Sequence, residues 1–439
     1  MAGPLRDRHD VDLQQFSAKN GLLRIAVVGT GISGLISSYL LHRHHEVTLF
    51  EADDRPGGHT NTVSVDLPGG RLAVDTGFIV YNERTYPGLV RLLAELKVPT
   101  QPSDMSFSMR DDGAGLEYRG TTANALFAQR RNLARPAFLR MLADVARFNR
   151  MARRLLVADP GPDYTLDDLL AESRWSPGFV QWYLVPLGSS IWSADPATFT
   201  RMPAATLARF FARHGMLSFG DKPAWRTVTG GARRYVDAIV DPLDRAGRLR
   251  LSSPVVSVAR SDRGVALRVR GAERAEMFDH VVLATHSDQA LHVLEDATPA
   301  EKDVLGAIAY QPNRAVLHTD DSFLPVNRRA RAAWNYRRPA GGGSAVATLT
   351  YDMNRLQSLP TTTPVLVTLN DEPDPERVLA RFAYAHPVLD GPAVAAQRRH
   401  HEISGVDKVS YCGAYWGYGF HEDGLQSGLA VCRRLGERW

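Results

Sequence analysis

Residues 23–51, LRIAVVGTGISGLISSYLLHRHHEVTLFE, decide the fold. Leu23 to Val28 is a short, mostly apolar and β-branched run, the pattern of a parallel strand buried on both faces. Gly29, Gly31 and Gly34 follow in GxGxxG spacing. The first permits a tight turn, the second lets a pyrophosphate approach the backbone, and the third lets a helix pack closely on the strand. The pattern predicts a helix from about Ile32 to Leu41, with Ile32 and Ser33 in the first turn, where its amides and positive dipole end face the phosphates. A second strand, Glu46 to Phe50, leads to Glu51, 22 residues after Gly29. There the carboxylate accepts hydrogen bonds from a ribose diol and repels a 2′-phosphate. Strand, glycine turn, helix and acid in this order imply a dinucleotide with free ribose hydroxyls, FAD or NAD.

The residues that follow favour FAD. Glu51, Ala52, Arg55, Gly57 and Gly58 form an ExxxRxGG segment, continued by His59 and Thr60. The glycine pair lets the backbone run close to the second half of a long cofactor, and Arg55 places a cation near a phosphate. A plain NAD-binding domain has no need of this segment. It resembles the extension found in flavoproteins of the glutathione reductase and amine oxidase class.

A chain of 439 residues exceeds one ordinary core, so two domains are expected. The hydrophobic content of 44% and charged content of 23% are those of a globular protein. A net charge of +4 gives no reason to expect a nucleic-acid partner. The two cysteines, Cys412 and Cys432, form neither a disulfide framework nor a metal-binding pattern, so no metal is expected and a reducing cytosol is the expected compartment. Residues 1–21 are polar and read as a flexible tail. No apolar run is long enough to span a membrane, which leaves peripheral contact as the only kind expected.

Along the chain, Thr62–Leu67 and Arg71–Val74 alternate around Pro68-Gly69-Gly70, a hairpin signal, and lead into Asp75-Thr76-Gly77-Phe78. Pro87 to Leu96 reads as a helix, followed by a polar, glycine-bearing region to Gly120. Residues 123–156 read as helical, with Phe138, Leu142, Val145, Phe148 and Leu155 near one face. Between Arg130 and Arg154 stand eight arginines and a single acid, Asp144, a net +7. Such a helix is either a solvated face over a packed stripe or a surface for anionic lipid or an acidic substrate. Thr165–Glu172 opens a further helix, and Trp182–Phe211 reads as a helical cap in which Trp192 is either structural or a substrate wall. Residues 222–231, KPAWRTVTGG, precede an amphipathic helix. Then come strand signals (RLRLSSPVVSVAR, GVALRVR, FDHVVLATH), the last ending near Thr285. AVLHTD, AVATLTY and PVLVTLN suggest a sheet floor, and the chain closes with a strand, an aromatic glycine loop and a helix starting near Glu422. The reading assigns 22–95, 222–300 and 386–439 to a Rossmann-type FAD-binding domain, interleaved with an α+β substrate domain of 96–221 and 301–385.

The N-terminal GTGISG with ExxxRxGG and the C-terminal HEDGLQSG resemble the FAD-dependent amine oxidase superfamily, which includes phytoene desaturases, protoporphyrinogen oxidases and flavin mutases. GGHTNTV, VDTGFIVYNERTYP, IWSADP, WRTVTGG, TYDMNRLQ, AHPVLD and YCGAYWGYGFHEDG are similar, more narrowly, to a bacterial group of NAD/FAD-binding oxidoreductases that accompany cyclopropane-fatty-acyl-phospholipid synthase-like methyltransferases. The motifs run from residue 24 to 436. The resemblance implies an α/β fold of glutathione reductase type and FAD, which is expected to be non-covalent because no cysteine stands in a flavin-linking context, Cys412 preceding its glycine in a strand. It places Gly29, Gly31, Ser33 and Gly34 at the pyrophosphate, Glu51 at the ribose, and Arg55, Gly58, His59 and Thr60 along the ribityl side. Thr76, Gly77 and Phe78 belong to a turn that brushes the flavin, Val255 lies at the adenine, and Gly413, His421, Glu422, Asp423 and Gly424 lie at the flavin side. His59 stands where many amine oxidases carry arginine, and Ala414 where many relatives have an acid, so amine specificity does not follow.

Hydride transfer to a flavin needs no nucleophile. Trp225, Arg226, Tyr336, His386, Tyr415, Trp416, Tyr418, Phe420 and His421 are the candidate pocket groups, with Arg226, His386, Tyr418 and His421 the candidates for a catalytic part. The leading expectation is an FAD-dependent oxidoreductase acting on an apolar, lipid acyl substrate. The alternatives are a flavin-dependent amine oxidase, a redox-neutral isomerase or mutase, and a flavin-carrying partner of a lipid-modifying methyltransferase.

Overall fold

The structure is a computed structural model that describes residues 21–218, 220, 222–341 and 348–439. The expected tail lies outside the described residues except for Gly21, and the start of AVATLTY does as well.

In chain order, the elements that position the site are β1 (Arg24–Val28), α1 (Ile32–Leu41), β2 (Glu46–Phe50), β3 (Thr62–Leu67), β4 (Gly70–Asp75), α2 (Pro136–Ala158), β5 (Trp225–Val228), α3 (Arg233–Arg245), β6 (His280–Leu283), β7 (Val409–Tyr411) and α4 (His421–Arg434). They divide between two compact units. Of the described residues, unit 1 comprises those up to Gly58, Tyr235–Ala307 and Ala396–Trp439, and unit 2 those within His59–Arg234 and Ile308–Ala395. Relative to the sequence-based division, 59–95, 222–234 and 386–395 fall in unit 2 and 301–307 in unit 1. The reason is packing. Val65 and Val74 of the β3–β4 hairpin sit in one hydrophobic cluster with Leu317, Val367 and Tyr384, and β5 pairs with Tyr81–Asn82 and Thr100–Pro102.

Unit 1 is built on a five-stranded sheet in the order 249–250, β2, β1, β6, β7, with every neighbouring pair parallel. Ile25, Ala26 and Val27 at its centre are fully buried, as an apolar run in an all-parallel sheet requires. α4 lies along α1 with two glycines at the contact. A Cβ on Gly424 would stand 2.8 Å from Ile32 Cγ2, and one on Gly428 would stand 2.4 Å from Ile36 Cγ2. A second, antiparallel sheet joins Val255–Ser261, Gly264–Val269 and Glu276–Phe278.

Unit 2 carries a seven-stranded sheet in the order 378–387, 310–318, 366–369, 349–352, 334–338, 107–111, 116–119. The last two strands fall in the stretch read from sequence as a polar, glycine-bearing region. The expected helix over 123–156 is broken into Ala123–Leu126, a 3₁₀ turn Arg130–Ala134, and α2. Pro136 explains the second break. It occupies the first turn of α2 while Arg135 before it is extended (φ −95°, ψ 104°), as the residue before proline prefers. Phe138, Met141, Val145, Phe148 and Ala152 form the buried face, and Leu142 and Leu155 are half-buried. Trp192 is buried against Phe210, with ring centroids 4.7 Å apart, and Phe199. Among the described residues no helix is long and apolar enough to cross a membrane.

Candidate functional site

The glycine turn of unit 1 closes because nothing larger fits. Gly29 has φ +100°, and a Cβ there would meet the Ala284 carbonyl oxygen at 2.8 Å and Thr285 Cγ2 at 3.3 Å, so the end of β6 lies against the turn. A Cβ on Gly34 would stand 1.9 Å from the Gly29 carbonyl oxygen. At Gly31 a Cβ would meet no atom within 4 Å, so the space in front of this residue is open. The α1 N-terminus has no side-chain cap and no acid in its first turn, which leaves its amide donors and positive end for an anion.

Glu51 follows β2 and is held in place by hydrogen bonds. Its carboxylate accepts from the Thr30 amide (3.0 Å), the Thr30 hydroxyl and the Asp53 amide (3.1 Å). Thr30 Oγ1 in turn accepts from the Gly57 amide at 3.0 Å, and a Cβ on Gly58, at φ +55°, would stand 3.2 Å from Gly31 Cα. The two glycine segments are therefore pinned together by a threonine the sequence reading did not single out. Its signal was present as the polar x of GTG. Arg55 Nη2 donates to the Gly58 carbonyl (3.0 Å), while its Nη1 is buried with no hydrogen-bond partner among the described residues. Ala52 is exposed beside Glu51. Val255 is brought near by the backbone before it, since the Ser253 amide donates to the Glu51 carbonyl at 2.8 Å.

The C-terminal part of unit 1 gathers the aromatic loop. The Gly413 amide donates to Ser427 Oγ at 3.1 Å, and a Cβ on Gly413 would fall 2.1 Å from the Tyr415 ring. Gln397 Nε2 donates to the carbonyls of Tyr415 (2.8 Å) and Gly417 (2.7 Å). Trp416 packs on His400 with centroids 4.3 Å apart, and its Nε1 is buried without a partner among the described residues. Tyr418 and Phe420 are half-buried. α4 starts one residue before the expected Glu422. Asp423 accepts from the Phe420 amide at 3.0 Å, Glu422 is buried and accepts from Gln426 at 2.7 Å, and both acids offset part of the helix's positive end. His421 Nε2 and the Tyr235 hydroxyl are 2.8 Å apart. Burial lowers the His421 pKa to about 3, so the imidazole is neutral.

Unit 2 holds the remaining candidates. His59 lies against Tyr384 (centroids 5.0 Å) and His386 (5.4 Å). The Tyr384 hydroxyl meets Asn61 Nδ2 at 3.0 Å and Thr76 Oγ1 at 2.8 Å, and His386 Nδ1 meets Asn313 Nδ2 at 2.9 Å. Thr60 is buried. Gly77 has room only because it lacks a Cβ, which would fall 2.2 Å from the His59 carbonyl oxygen, and the Phe78 amide donates to that oxygen at 2.8 Å. Asp75, just before this turn, is fully buried and accepts from Thr62 Oγ1, the Ala232 amide and Gln357 Nε2. Burial pushes its pKa up to about 7. Arg226 on β5 is occupied by Thr100, with bonds of 2.8–3.1 Å to its hydroxyl and carbonyl. Tyr336 is buried and packed with Met109, Tyr118, Phe138 and Trp182. A hollow of about 290 Å³ over Asp111, Gln181, Trp182 and Arg338 contains none of the expected catalytic or cofactor-binding residues. Among the described residues no cluster of histidine, cysteine, aspartate or glutamate is arranged for a metal ion.

The residues present fit FAD. The open face of Gly31, the uncapped α1 N-terminus, the anchored Glu51 and the orphan Arg55 Nη1 together offer space, amide donors, a carboxylate and a cation to a diphosphate and its ribose. Both thiols are buried in the core of unit 1, and burial raises their pKa, that of Cys412 to about 12.

Comparison with known proteins follows the same line. Over 69 residues, 14% of this chain, the sequence is 41% identical to an L-amino acid oxidase of Cerastes cerastes, a match spanning 13% of that protein's length. The fold is similar to that of cyclohexylamine oxidase from Brevibacterium oxydans IH-35A, with a TM-score of 0.68, 18% identity, and coverage of 94% of this chain and 98% of the other. It is also similar to that of a CLA-producing fatty acid isomerase from P. acnes, with a TM-score of 0.67, 15% identity and the same coverages. A family model described as flavin containing amine oxidoreductase matches residues 32–436. The chain belongs to the flavin containing amine oxidoreductase family.

Proposed function

We propose that this chain is an FAD-dependent oxidoreductase that takes a hydride from an apolar substrate of lipid acyl type. The observation that carries the substrate class is the neutrality of the loop from Gly413 to His421. It sets Tyr415, Trp416, Tyr418 and Phe420 among glycines with no charged side chain, and its closing histidine is kept uncharged by burial. Such a wall desolvates a hydrocarbon at little cost, and the carboxylate that lies against it, Asp423, is engaged by the Phe420 amide. FAD, when bound non-covalently, supplies the two-electron acceptor. Gly31, Glu51 and Arg55 bind and orient it, and the aromatic residues exclude water. No residue of the loop is assigned as a general base.

The fatty acid isomerase among the structural neighbours supports a second reading, in which the same acyl substrate is isomerised without net oxidation. A lipid-modifying methyltransferase is the partner proposed from the sequence motifs.

The test is anaerobic reduction of the purified holoprotein with lipid extracts and, separately, with simple amines. Bleaching of the flavin band by lipid and not by amines is expected. Bleaching by amines alone overturns the substrate class and returns the chain to amine oxidation. Turnover of lipid with no added electron acceptor and no net bleaching selects the isomerase reading.

A further inference from the structure

We propose that the outward face of α2 docks on a membrane leaflet rich in anionic phospholipid. The claim concerns unit 2 alone and does not rest on the substrate reading.

α2 has 23 residues, a length of about 34 Å, enough to lie across several headgroups. Its inward face is the packed stripe that begins at Phe138. Leu139, Ala143, Ala146, Arg150, Arg153, Arg154 and Val157 are all exposed and recur at intervals of three and four, which puts them on one opposite face. Two features separate this face from an ordinary solvated one. The first is charge. The only acid between Thr122 and Ala158 is Asp144, and it is buried, accepting from the Ser176 amide at 3.0 Å. Asp159, the next acid, is paired with Arg209 at 2.9 Å. Arg140, Arg150 and Arg154 form no ion pair among the described residues, so their charge is available. All the cations are arginine, whose forked donors match phosphate oxygens.

The second feature is exposed hydrocarbon on the same segment. Val157 is 89% exposed, Leu133 54% and Leu139 43%, and their neighbours are these arginines. A nucleic-acid surface gains nothing from exposed valine and leucine, whereas a bilayer accepts the aliphatic side chains at the acyl boundary while the arginines meet the phosphates. The pairing of free arginines with exposed aliphatics therefore selects the bilayer over other polyanions.

The test is co-sedimentation of the full-length flavin-loaded chain with vesicles of phosphatidylcholine, with and without phosphatidylglycerol. Binding is expected only with phosphatidylglycerol, with release at high salt. One arginine near such a surface contributes about five-fold to partitioning, so Arg150→Gln with Arg154→Gln lowers it roughly 25-fold. Leu139→Ser with Val157→Ser lowers it by a smaller factor. Both double variants keep the wild-type flavin absorbance and melting temperature, because the altered side chains are exposed. Equal binding to both vesicle types overturns the proposal, as does an arginine variant that binds like wild type. Binding to duplex DNA that falls with the arginine pair but not with the aliphatic pair would reassign the face to nucleic acid.

Discussion

Gly31 and Gly34 are the same residue type for different reasons, and substitution separates them. At Gly34 the obstacle is the chain itself, the Gly29 carbonyl oxygen 1.9 Å from a Cβ. Gly34→Ala should therefore destabilise the fold by about 3 kcal/mol or more, read as a lower melting temperature with or without added FAD. At Gly31 nothing of the protein stands within 4 Å of a Cβ. Gly31→Ala should leave the apoprotein within about 1 kcal/mol of wild type yet weaken FAD binding at least about ten-fold, seen by flavin fluorescence titration. Glu51→Arg reverses the charge offered to the ribose and strips the acceptor from the Thr30 amide and hydroxyl. It should give colourless protein on purification, and a full yellow complement in that variant would refute the ribose assignment.

At the scale of elements, unit 1 depends on how closely α4 approaches α1. A Cβ on Gly428 would fall 2.4 Å from Ile36 Cγ2 and 2.6 Å from the Ser33 carbonyl oxygen, so Gly428→Ala should cost about 1–3 kcal/mol through overpacking, measured by denaturant unfolding of the apoprotein. The βαβ opening was legible from sequence almost to the residue. Its strands are buried on both faces and show as unbroken apolar runs, and its turn is restricted to glycine. The strands 107–111 and 116–119 were not legible, because buried polar groups such as Ser108, Asp111 and Glu117 interrupt the apolar alternation that marks a strand. Reading 123–156 as one helix failed at Pro136, where a helix start was taken for helix interior. In the candidate site the glycines and Glu51 were legible. The linking roles of Gln397 and Ser427 were not, since each acts across a sequence separation that no local pattern reveals, and Thr30 showed only as the polar residue within GTG.

The whole molecule should be sensitive to acid. Burial lowers the pKa of His280, His318 and His400 to about 4 and that of His421 to about 3, all below the value of about 6.5 expected in the unfolded chain. Their neutral forms therefore contribute stability that is fully present above about pH 6.5 and is lost as pH falls toward 4. Asp75 acts in the opposite sense, because its raised pKa makes the fold more stable as the pH falls from about 7. Burial also lowers the pKa of His45, His214 and His286 and raises that of Asp352, and seven histidines against two acids leave a net loss. A melting temperature lower by about 5–10 °C at pH 5 than at pH 7.5 is expected from thermal unfolding, and equal values would show that these histidines are solvated in the native protein.

The central proposal is that unit 1 grips the diphosphate of FAD at the turn from Gly29 to Gly34. The most direct measurement is titration of apoprotein with FAD for wild type and Gly31→Ala side by side, each with its melting curve. Saturable one-to-one binding by wild type, with weakened binding by a variant that melts like it, is the predicted result. Wild-type apoprotein that refuses FAD, or a Gly31→Ala variant that binds it with undiminished affinity, would contradict the account.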